Sequence, residues 1–379
     1  MPLLGRQKTA SEWNSRGIEL EKLFKYKDAI QCYDNALKIN PDYAEAWINK
    51  GNVLDNLRRY EDALRCYEQV IRIHPDNAGA WINKGNELDN LGEYEEALRC
   101  YNKIIRLDPN HADTWFNKGI TCGKLGKYNE AIQCYDEALG IEPNHVSALY
   151  SKGNTLDSLK KYEEAIICYD KILQINPNDS IAWFNKGNEF FNLDQYDEAI
   201  TCYDKALEIS PDNTDIWFNR GNAFFNLGQL DIAITCYDKA LEISPDNTDI
   251  WFNRGNAFEK LGMYKDTINC YNKMIEINPT DPNTWFNKGN IIFNMGLYKE
   301  AMKCYDKSIE INPSYVNAWI NKGIIFGKLG KYNDSINCCN KVLEINPNHS
   351  SVWKNKGVAL ENLGKYEEAK RCYEKVRQG

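Results

Sequence analysis

Histidine is scarce in this chain, with only four among 379 residues. The four, at positions 74, 111, 145 and 349, lie within two residues of a proline, in short segments where histidine is most often solvated. The sequence also lacks the Cys-x-x-Cys, His-Glu-x-x-His, Walker and glycine-rich dinucleotide-binding patterns that mark metal and nucleotide sites. We therefore expect a protein that is not an enzyme and that has no metal site and no cofactor.

Long basic runs and long apolar runs are absent as well. The net charge is −8, so no basic tract is available to pair with phosphates. The first ten residues lack the apolar core of a signal peptide, and no stretch of about 18 apolar residues follows. These absences argue against nucleic acid and membranes as partners and predict a cytoplasmic protein.

Cysteine is plentiful, and eleven of the 13 cysteines recur every 34 residues, from Cys32 through Cys66 to Cys372. Equivalent positions in stacked repeats lie about 10 Å apart, whereas a disulfide needs Cα atoms within about 7 Å of each other. We interpret these residues as small, buried apolar side chains in a reducing compartment. Cys339 stands where the other ten repeats have a tyrosine, and we interpret it as a simple substitution.

A period of 34 residues organises the whole chain. Glycine recurs at that spacing from Gly17 to Gly357, and tryptophan lies four residues before each glycine, with Leu149 as the single exception. Proline keeps the same spacing from Pro41 to Pro347. The period predicts a leader over residues 1–9 and eleven repeats over residues 10–379, which start near residues 10, 44, 78, 112, 146, 180, 214, 248, 282, 316 and 350.

Each repeat reads as two helices. Trp47, Gly51 and Leu54 have the spacing of one helical face, and a second apolar face follows in the same repeat after a break that carries glycine in seven repeats. These positions resemble the tetratricopeptide repeat family, except that Lys or Arg, such as Lys50, precedes the repeat glycine. The resemblance implies an all-α fold, a right-handed α-solenoid of eleven helix-turn-helix units, in which we expect Lys50 to lay its methylenes along the core.

Asparagine is enriched on one face of the first helix. Positions two, five and nine residues after the tryptophan hold asparagine 22 times in 33, whereas asparagine is rare at exposed positions of the second helix. These asparagines cost about 10 kcal/mol relative to alanine, because asparagine is a mediocre helix former. Composition bias alone does not sort the two helices so differently, so the enrichment indicates a function.

We interpret these asparagines as a ladder that binds the backbone of an extended peptide, because an amide both donates and accepts hydrogen bonds. In the family the first helices line the concave surface, so the resemblance implies a peptide groove of the asparagine-ladder type. Aromatic residues that follow the tryptophans are either side-chain pockets or inter-repeat packing, and the sequence leaves both open. The candidate peptide-binding residues are Asn49, Asn52, Asn83, Asn86, Asn117, Asn154, Asn185, Asn188, Asn219, Asn222, Asn253, Asn256, Asn287, Asn290, Asn321, Phe184, Phe218, Phe252 and Phe286.

The leading hypothesis is a non-catalytic scaffold that binds other proteins or peptides. One alternative is the substrate-recruiting arm of a larger enzyme or complex, and a weaker one is an RNA-binding helical repeat. The last repeat stops about four residues short and is followed by no polar capping helix. This end leaves open that the chain is a fragment or that it self-associates through its uncapped C-terminal end.

Overall fold

The computed structural model describes residues 8–378, so most of the leader (residues 1–7) and Gly379 lie outside the described residues. The described part divides into two compact units, one ending at Leu193 and the other starting at Asp194. Unit 1 contains α1 (Ala10–Lys22), α2 (Tyr26–Ile39), α3 (Ala44–Asn56), α4 (Tyr60–Ile73), α5 (Ala78–Asn90), α6 (Tyr94–Leu107), α7 (Ala112–Lys124), α8 (Tyr128–Ile141), α9 (Val146–Ser158), α10 (Tyr162–Ile175) and α11 (Ser180–Asn192).

Unit 2 contains the same kind of elements. They are α12 (Tyr196–Ile209), α13 (Thr214–Asn226), α14 (Leu230–Ile243), α15 (Thr248–Lys260), α16 (Tyr264–Ile277), α17 (Pro282–Asn294), α18 (Tyr298–Ile311), α19 (Val316–Lys328), α20 (Tyr332–Ile345), α21 (Ser350–Asn362) and α22 (Tyr366–Gln378). In both units each helix packs against the next one along the chain. The predicted all-α solenoid fold is confirmed, because the 22 helices of residues 8–378 match eleven helix pairs.

The helix ends follow local sequence signals. The seven break glycines have positive φ angles, for example 81° at Gly92 and 76° at Gly228, so each supplies the left-handed residue that ends a first helix. Polar side chains cap the starts of first helices, as Asn77 does for α5 and Asp179 for α11. His145 also acts as a cap, because its Nδ1 accepts the backbone N–H of Ala148. His145 therefore has a structural role, whereas the sequence analysis expected a solvated side chain.

Tyrosine from the second helix is a large side chain at the centre of most helix pairs. Tyr67 is 1% exposed, and its ring lies where a Cβ on Gly51 would come within 2.6 Å. The repeat glycine is therefore required by the close approach of this ring. Trp47 is only half-buried, and its Nε1 donates to the carbonyl oxygen of Pro41 at 2.9 Å. The tryptophans thus close the turns between repeats, and they also pack, partly buried, against the core.

Ion pairs link seven of the repeats to the preceding one. Lys50 Nζ lies 2.7 Å from Asp34 Oδ1, and Arg220 Nε lies 2.7 Å from Asp204 Oδ1. Seven such pairs join residues 16 apart within residues 8–378: Lys50–Asp34, Lys84–Glu68, Lys152–Asp136, Lys186–Asp170, Arg220–Asp204, Arg254–Asp238 and Lys322–Asp306. The base before the repeat glycine therefore pairs with an acid of the previous helix, a role beyond the packing of its methylenes expected from the sequence.

Candidate functional site: the asparagine rows of the first helices

The candidate asparagines form rows along the first helices of each unit. We call the residue two positions after the tryptophan the first row, the residue five positions after it the second row, and the residue nine positions after it the third row. First-row asparagines are half-buried, second-row asparagines are half-buried except for the exposed Asn154, and third-row asparagines such as Asn56 are exposed. The first two rows hold all the asparagines named as candidates from the sequence.

The second-row amide oxygens accept hydrogen bonds from the buried tyrosines. Tyr67 Oη donates to Asn52 Oδ1 at 2.9 Å, and Tyr305 Oη donates to Asn290 Oδ1 at the same distance. The same bond joins Tyr101 to Asn86, Tyr169 to Asn154 and Tyr237 to Asn222. Burial raises the pKa of Tyr305 to about 12, so this hydroxyl keeps its proton and remains a donor. The second row thus has a structural role that the sequence analysis missed.

First-row asparagines bond to the second row of the preceding repeat. Asn83 Nδ2 donates to Asn52 Oδ1 at 3.3 Å, and Asn321 Nδ2 donates to Asn290 Oδ1 at 2.8 Å. Asn117 bonds to Asn86 in the same way at 3.2 Å. In unit 1, Asn49 instead donates to Asn14, a buried asparagine that was not among the candidates.

These bonds determine which half of each amide is left for a ligand. Both lone pairs of Asn52 Oδ1 are occupied, by Tyr67 and Asn83. Among the described residues, no group accepts from Asn52 Nδ2, and none donates to Asn83 Oδ1. Asn52 therefore presents a donor and Asn83 an acceptor, and the network orients both amides. Asn290 and Asn321 have the same arrangement.

One repeat of unit 2 departs from this arrangement. Tyr271 does not cover Gly255, where the only atom within 4 Å of an added Cβ is Cβ of Cys270. Within residues 8–378 no hydrogen bond involves the side-chain amides of Asn253, Asn256 or Asn287. These three candidates lie on adjacent first helices, α15 and α17, and both halves of each amide are uncommitted. They form a cluster of available side-chain amides on neighbouring helices.

The candidate phenylalanines differ in exposure. Phe218 lies 6.0 Å from Tyr237 between ring centroids, and Phe286 lies 5.8 Å from Tyr305 and 5.3 Å from Tyr315. Phe184 is half-buried. Phe252, at 36% exposed, is the most accessible of the four. Phe218 thus packs on the tyrosine of its own repeat, and Phe286 packs on that of its own repeat and on Tyr315 at the junction with the next. Phe252 is the exposed one, next to Asn253 in the chain and one helical turn before Asn256.

The state of the cysteines, the grouping of metal-ligand side chains and the hydrophobicity of the helices bear on catalysis, metal binding and membrane insertion. All thirteen cysteines are buried, and burial raises the pKa of the Cys66 thiol to about 11, which disfavours a reactive thiolate. Residues 8–378 contain no cluster of three or more His, Cys, Asp or Glu able to hold a metal ion. None of the helices in this range is both long enough and apolar enough to span a bilayer.

The tyrosine–asparagine bonds had a signal in the sequence. Where the second row is apolar, the tyrosine has a different partner or is missing. The first repeat has Ile18 in the second row, and there Tyr33 Oη donates to Glu21 at 2.9 Å. The tenth repeat has Ile324, and there Cys339 replaces the tyrosine. The joint occurrence of Tyr and Asn, 15 residues apart, therefore indicates the pair, with Asn256 and Tyr271 as the exception.

Known structures and families provide the last comparison. Solved structures similar to this chain include MamA from Desulfovibrio magneticus RS-1, which is 25% identical over 44% of this chain and 95% of that chain, with a TM-score of 0.42. Yeast Tom70 is 14% identical over 97% of this chain and 91% of that chain, with a TM-score of 0.41. YrrB, described as a TPR protein with an unusual peptide-binding site, is 24% identical over 48% of this chain and 93% of that chain, with a TM-score of 0.42.

A comparison with curated proteins gives no significant match. Three family models match, two described as tetratricopeptide repeat and one as TPR repeat. The first matches residues 10–43, 44–77, 78–111, 112–145, 146–179, 248–281, 282–315 and 316–349. The others match residues 168–201 and 338–371, and residues 187–228 and 221–262. Because the first model alone covers more than half of the chain, the protein belongs to the tetratricopeptide repeat family.

Proposed function

We propose that the chain is a non-catalytic scaffold that binds extended segments of partner proteins along the asparagine rows of its first helices. Tetratricopeptide repeats are typically protein-interaction modules, which supports the general function. The observation that carries the specific proposal is the orientation of the amides at two junctions. The Nδ2 groups of Asn52 and Asn290 and the Oδ1 atoms of Asn83 and Asn321 have no partner among residues 8–378, while hydrogen bonds hold the other half of each amide.

An extended backbone offers the complementary groups. Successive peptide units present N–H and C=O groups, and about three residues of extended chain span the 10 Å or so between neighbouring repeats. A carbonyl of the ligand would accept from a second-row Nδ2, and an N–H would donate to a first-row Oδ1. Such contacts recognise only the peptide backbone of the ligand, so the rows would tolerate varied side chains in the ligand.

The α15–α17 region is the part of unit 2 where binding should be strongest. Asn253, Asn256 and Asn287 have both amide halves available, and the ring of Phe252 lies beside them. A ligand there gains hydrogen bonds without breaking any in the protein, which lowers the cost of binding.

The experiment uses peptides selected on the full chain from a random twelve-residue display library. Affinities of the selected peptides are measured by fluorescence anisotropy for the wild type and for the triple variant Asn253→Ala, Asn256→Ala, Asn287→Ala. Because each lost hydrogen bond removes about 1 kcal/mol, the triple variant should weaken binding by about 100-fold. The matched control is Asn269→Ala with Asn272→Ala, on the second helix of the same repeat, and it should bind as the wild type does.

Unchanged affinity of every selected peptide for the triple variant contradicts the proposal. The same assay addresses RNA, since an RNA-binding repeat would bind single-stranded RNA with an affinity that falls steeply as salt is added. A recruiting arm of a larger enzyme or complex would use the same rows, so the asparagine variants test the recognition step for that alternative too.

A further inference from the structure

The tenth helix pair, α19 with α20, lacks the tyrosine ring that lies over the repeat glycine in most other pairs. A Cβ built on Gly289 would come within 2.7 Å of the ring of Tyr305. At Gly323, the equivalent position in the next repeat, the nearest atoms are Cβ of Cys338 and the carbonyl oxygen of Ser335. The substitution at Cys339 therefore leaves the place of an aromatic ring without one.

A cavity of about 280 Å³ lies at this place, between the tenth and eleventh helix pairs of unit 2. Gly323 and Cys339 line it from the tenth pair, and Val352 and Ala359 line it from the eleventh. An apolar cavity of about 150 Å³ already holds a benzene molecule, so this one has room for a phenyl or indole group. The internal comparison with the other repeats indicates a ring as the shape that fits.

The cavity opens on the face that carries the asparagine rows. Of its lining residues, Ile324 is 36% exposed and Val358 is 45% exposed, and both are second-row positions that hold an aliphatic residue instead of asparagine. The exposed third-row Asn362 also lines the cavity. A chain lying along the rows would therefore pass directly over the opening.

Asn355, a first-row residue of α21, lies at the rim without the partners of its counterparts. Asn321, one repeat earlier, donates to Asn290 Oδ1 at 2.8 Å and to Tyr305 Oη at 3.4 Å. The equivalent partners of Asn355 are replaced by Ile324 and Cys339. Within residues 8–378 the side-chain amide of Asn355 forms no hydrogen bond. The substitutions that open the cavity therefore also leave a polar side chain beside it without a partner.

We propose that this cavity binds an aromatic side chain, phenylalanine or tryptophan, of an extended partner segment, while Asn355 hydrogen-bonds to the backbone of that segment. The proposal rests on the proposed function and adds a side-chain specificity that the backbone-reading rows lack. The ligand ring takes the place that the protein's own tyrosine ring takes in other repeats. Burial of the ring provides affinity, and the adjacent amide sets the register of the segment.

The first test uses free indole as a probe on the full chain with 13C-labelled valine methyl groups. In the wild type, indole should shift the resonances of Val352 and Val358. Cys339→Tyr restores the residue of the other repeats and should abolish the shifts. Gly327→Phe is a second way to fill the cavity, since phenylalanine stands at the equivalent positions 191, 225 and 293. Cys338→Ala, at a buried neighbour that does not line the cavity, should leave the shifts unchanged.

The second test uses peptides selected on the wild type. Their affinity should fall at least tenfold when the aromatic residue of the peptide is changed to alanine or when Cys339→Tyr is introduced, with no further loss when the two changes are combined. Absence of the indole shifts in the wild type overturns the proposal. Equal peptide affinity for wild type and Cys339→Tyr also overturns it, while sensitivity to the α15–α17 asparagine variant would leave the proposed function standing. If indole binds but the affinity of no selected peptide depends on its aromatic residue, the cavity would be a site for a free small aromatic molecule. That result would overturn the proposal that a peptide side chain occupies it.

Discussion

The hydroxyl of a buried tyrosine needs a hydrogen-bond acceptor, and this need selects the residue on the neighbouring helix. An unpaired buried hydroxyl costs about 1–3 kcal/mol, whereas asparagine costs only about 0.6 kcal/mol relative to alanine in a helix. The bond from Tyr305 Oη to Asn290 Oδ1 therefore more than offsets the poor helix propensity of Asn290. This structural role thus explains part of the asparagine enrichment. The proposed binding role concerns the halves of the side-chain amides that the tyrosine bond does not use.

The two asparagines Asn290 and Asn256 separate these roles. Asn290→Ala removes the acceptor of Tyr305 and should lower the free energy of unfolding by about 1–2 kcal/mol. Asn256→Ala breaks no hydrogen bond with a described residue. It should change the free energy of unfolding by no more than about 0.5 kcal/mol, and should raise it, because alanine is the better helix former. Urea unfolding followed by circular dichroism measures both. Equal destabilisation by the two variants would show that the tyrosine bond is not what distinguishes them.

At the scale of helices, two first helices carry a buried carboxyl group against the preceding repeat. Glu87 of α5 and Glu189 of α11 are each 2% exposed, and one oxygen of each has no hydrogen-bond partner. Burial, with the negative charge of Asp55, raises the pKa of Glu87 to about 7. Burial, with the charge of Asp157, raises the pKa of Glu189 to about 8. The folded state therefore favours the protonated form of both groups.

Stability should consequently fall as the pH rises from about 5 to 8. Each group has a folded pKa above its ordinary value of 4.5, so the folded state binds more protons than the unfolded state in this window, and each group can contribute a slope of up to about 1.4 kcal/mol per pH unit. The double variant Glu87→Gln, Glu189→Gln should flatten the pH dependence and be more stable than the wild type at pH 8. Thermal unfolding from pH 5 to pH 8 measures this.

The control for this prediction is Glu163→Gln, at an exposed position of α10, which should keep the wild-type slope. A wild-type slope that survives the double variant would assign the pH dependence to other groups.

The helices and turns were predictable because each repeat states the same signals again. Each signal has a local physical reason. The break glycines supply the left-handed residue that ends a helix, the prolines stop the second helix, and the tryptophan–glycine spacing reflects close packing. The partners of Lys50 and Asn52 were not predictable in this way, since each lies in another helix and depends on how two helices are packed. The cavity at Cys339 shows only when the missing ring is compared with the rings of the other repeats.

At the scale of the whole molecule, contacts within each unit join helices that are close in sequence, either successive helices or successive first helices. Stability in such an array is approximately a sum of terms for single repeats and for interfaces between neighbours. Damage to one repeat should therefore loosen its neighbours and leave distant repeats intact. A globular domain with one shared core would instead loosen throughout.

Tyr169→Ala tests this local coupling. The ring of Tyr169 is 1% exposed and packs on Gly153, so its loss should cost about 3–5 kcal/mol. Amide hydrogen exchange followed by mass spectrometry should show faster exchange in α9, α10 and the adjacent helices α8 and α11. Exchange in α1 to α4 should match the wild type, because within unit 1 the contacts of α9 and α10 are with α7, α8 and α11. A uniform rise over all helices would mean that the array unfolds as one cooperative body, contrary to a sum of neighbouring terms.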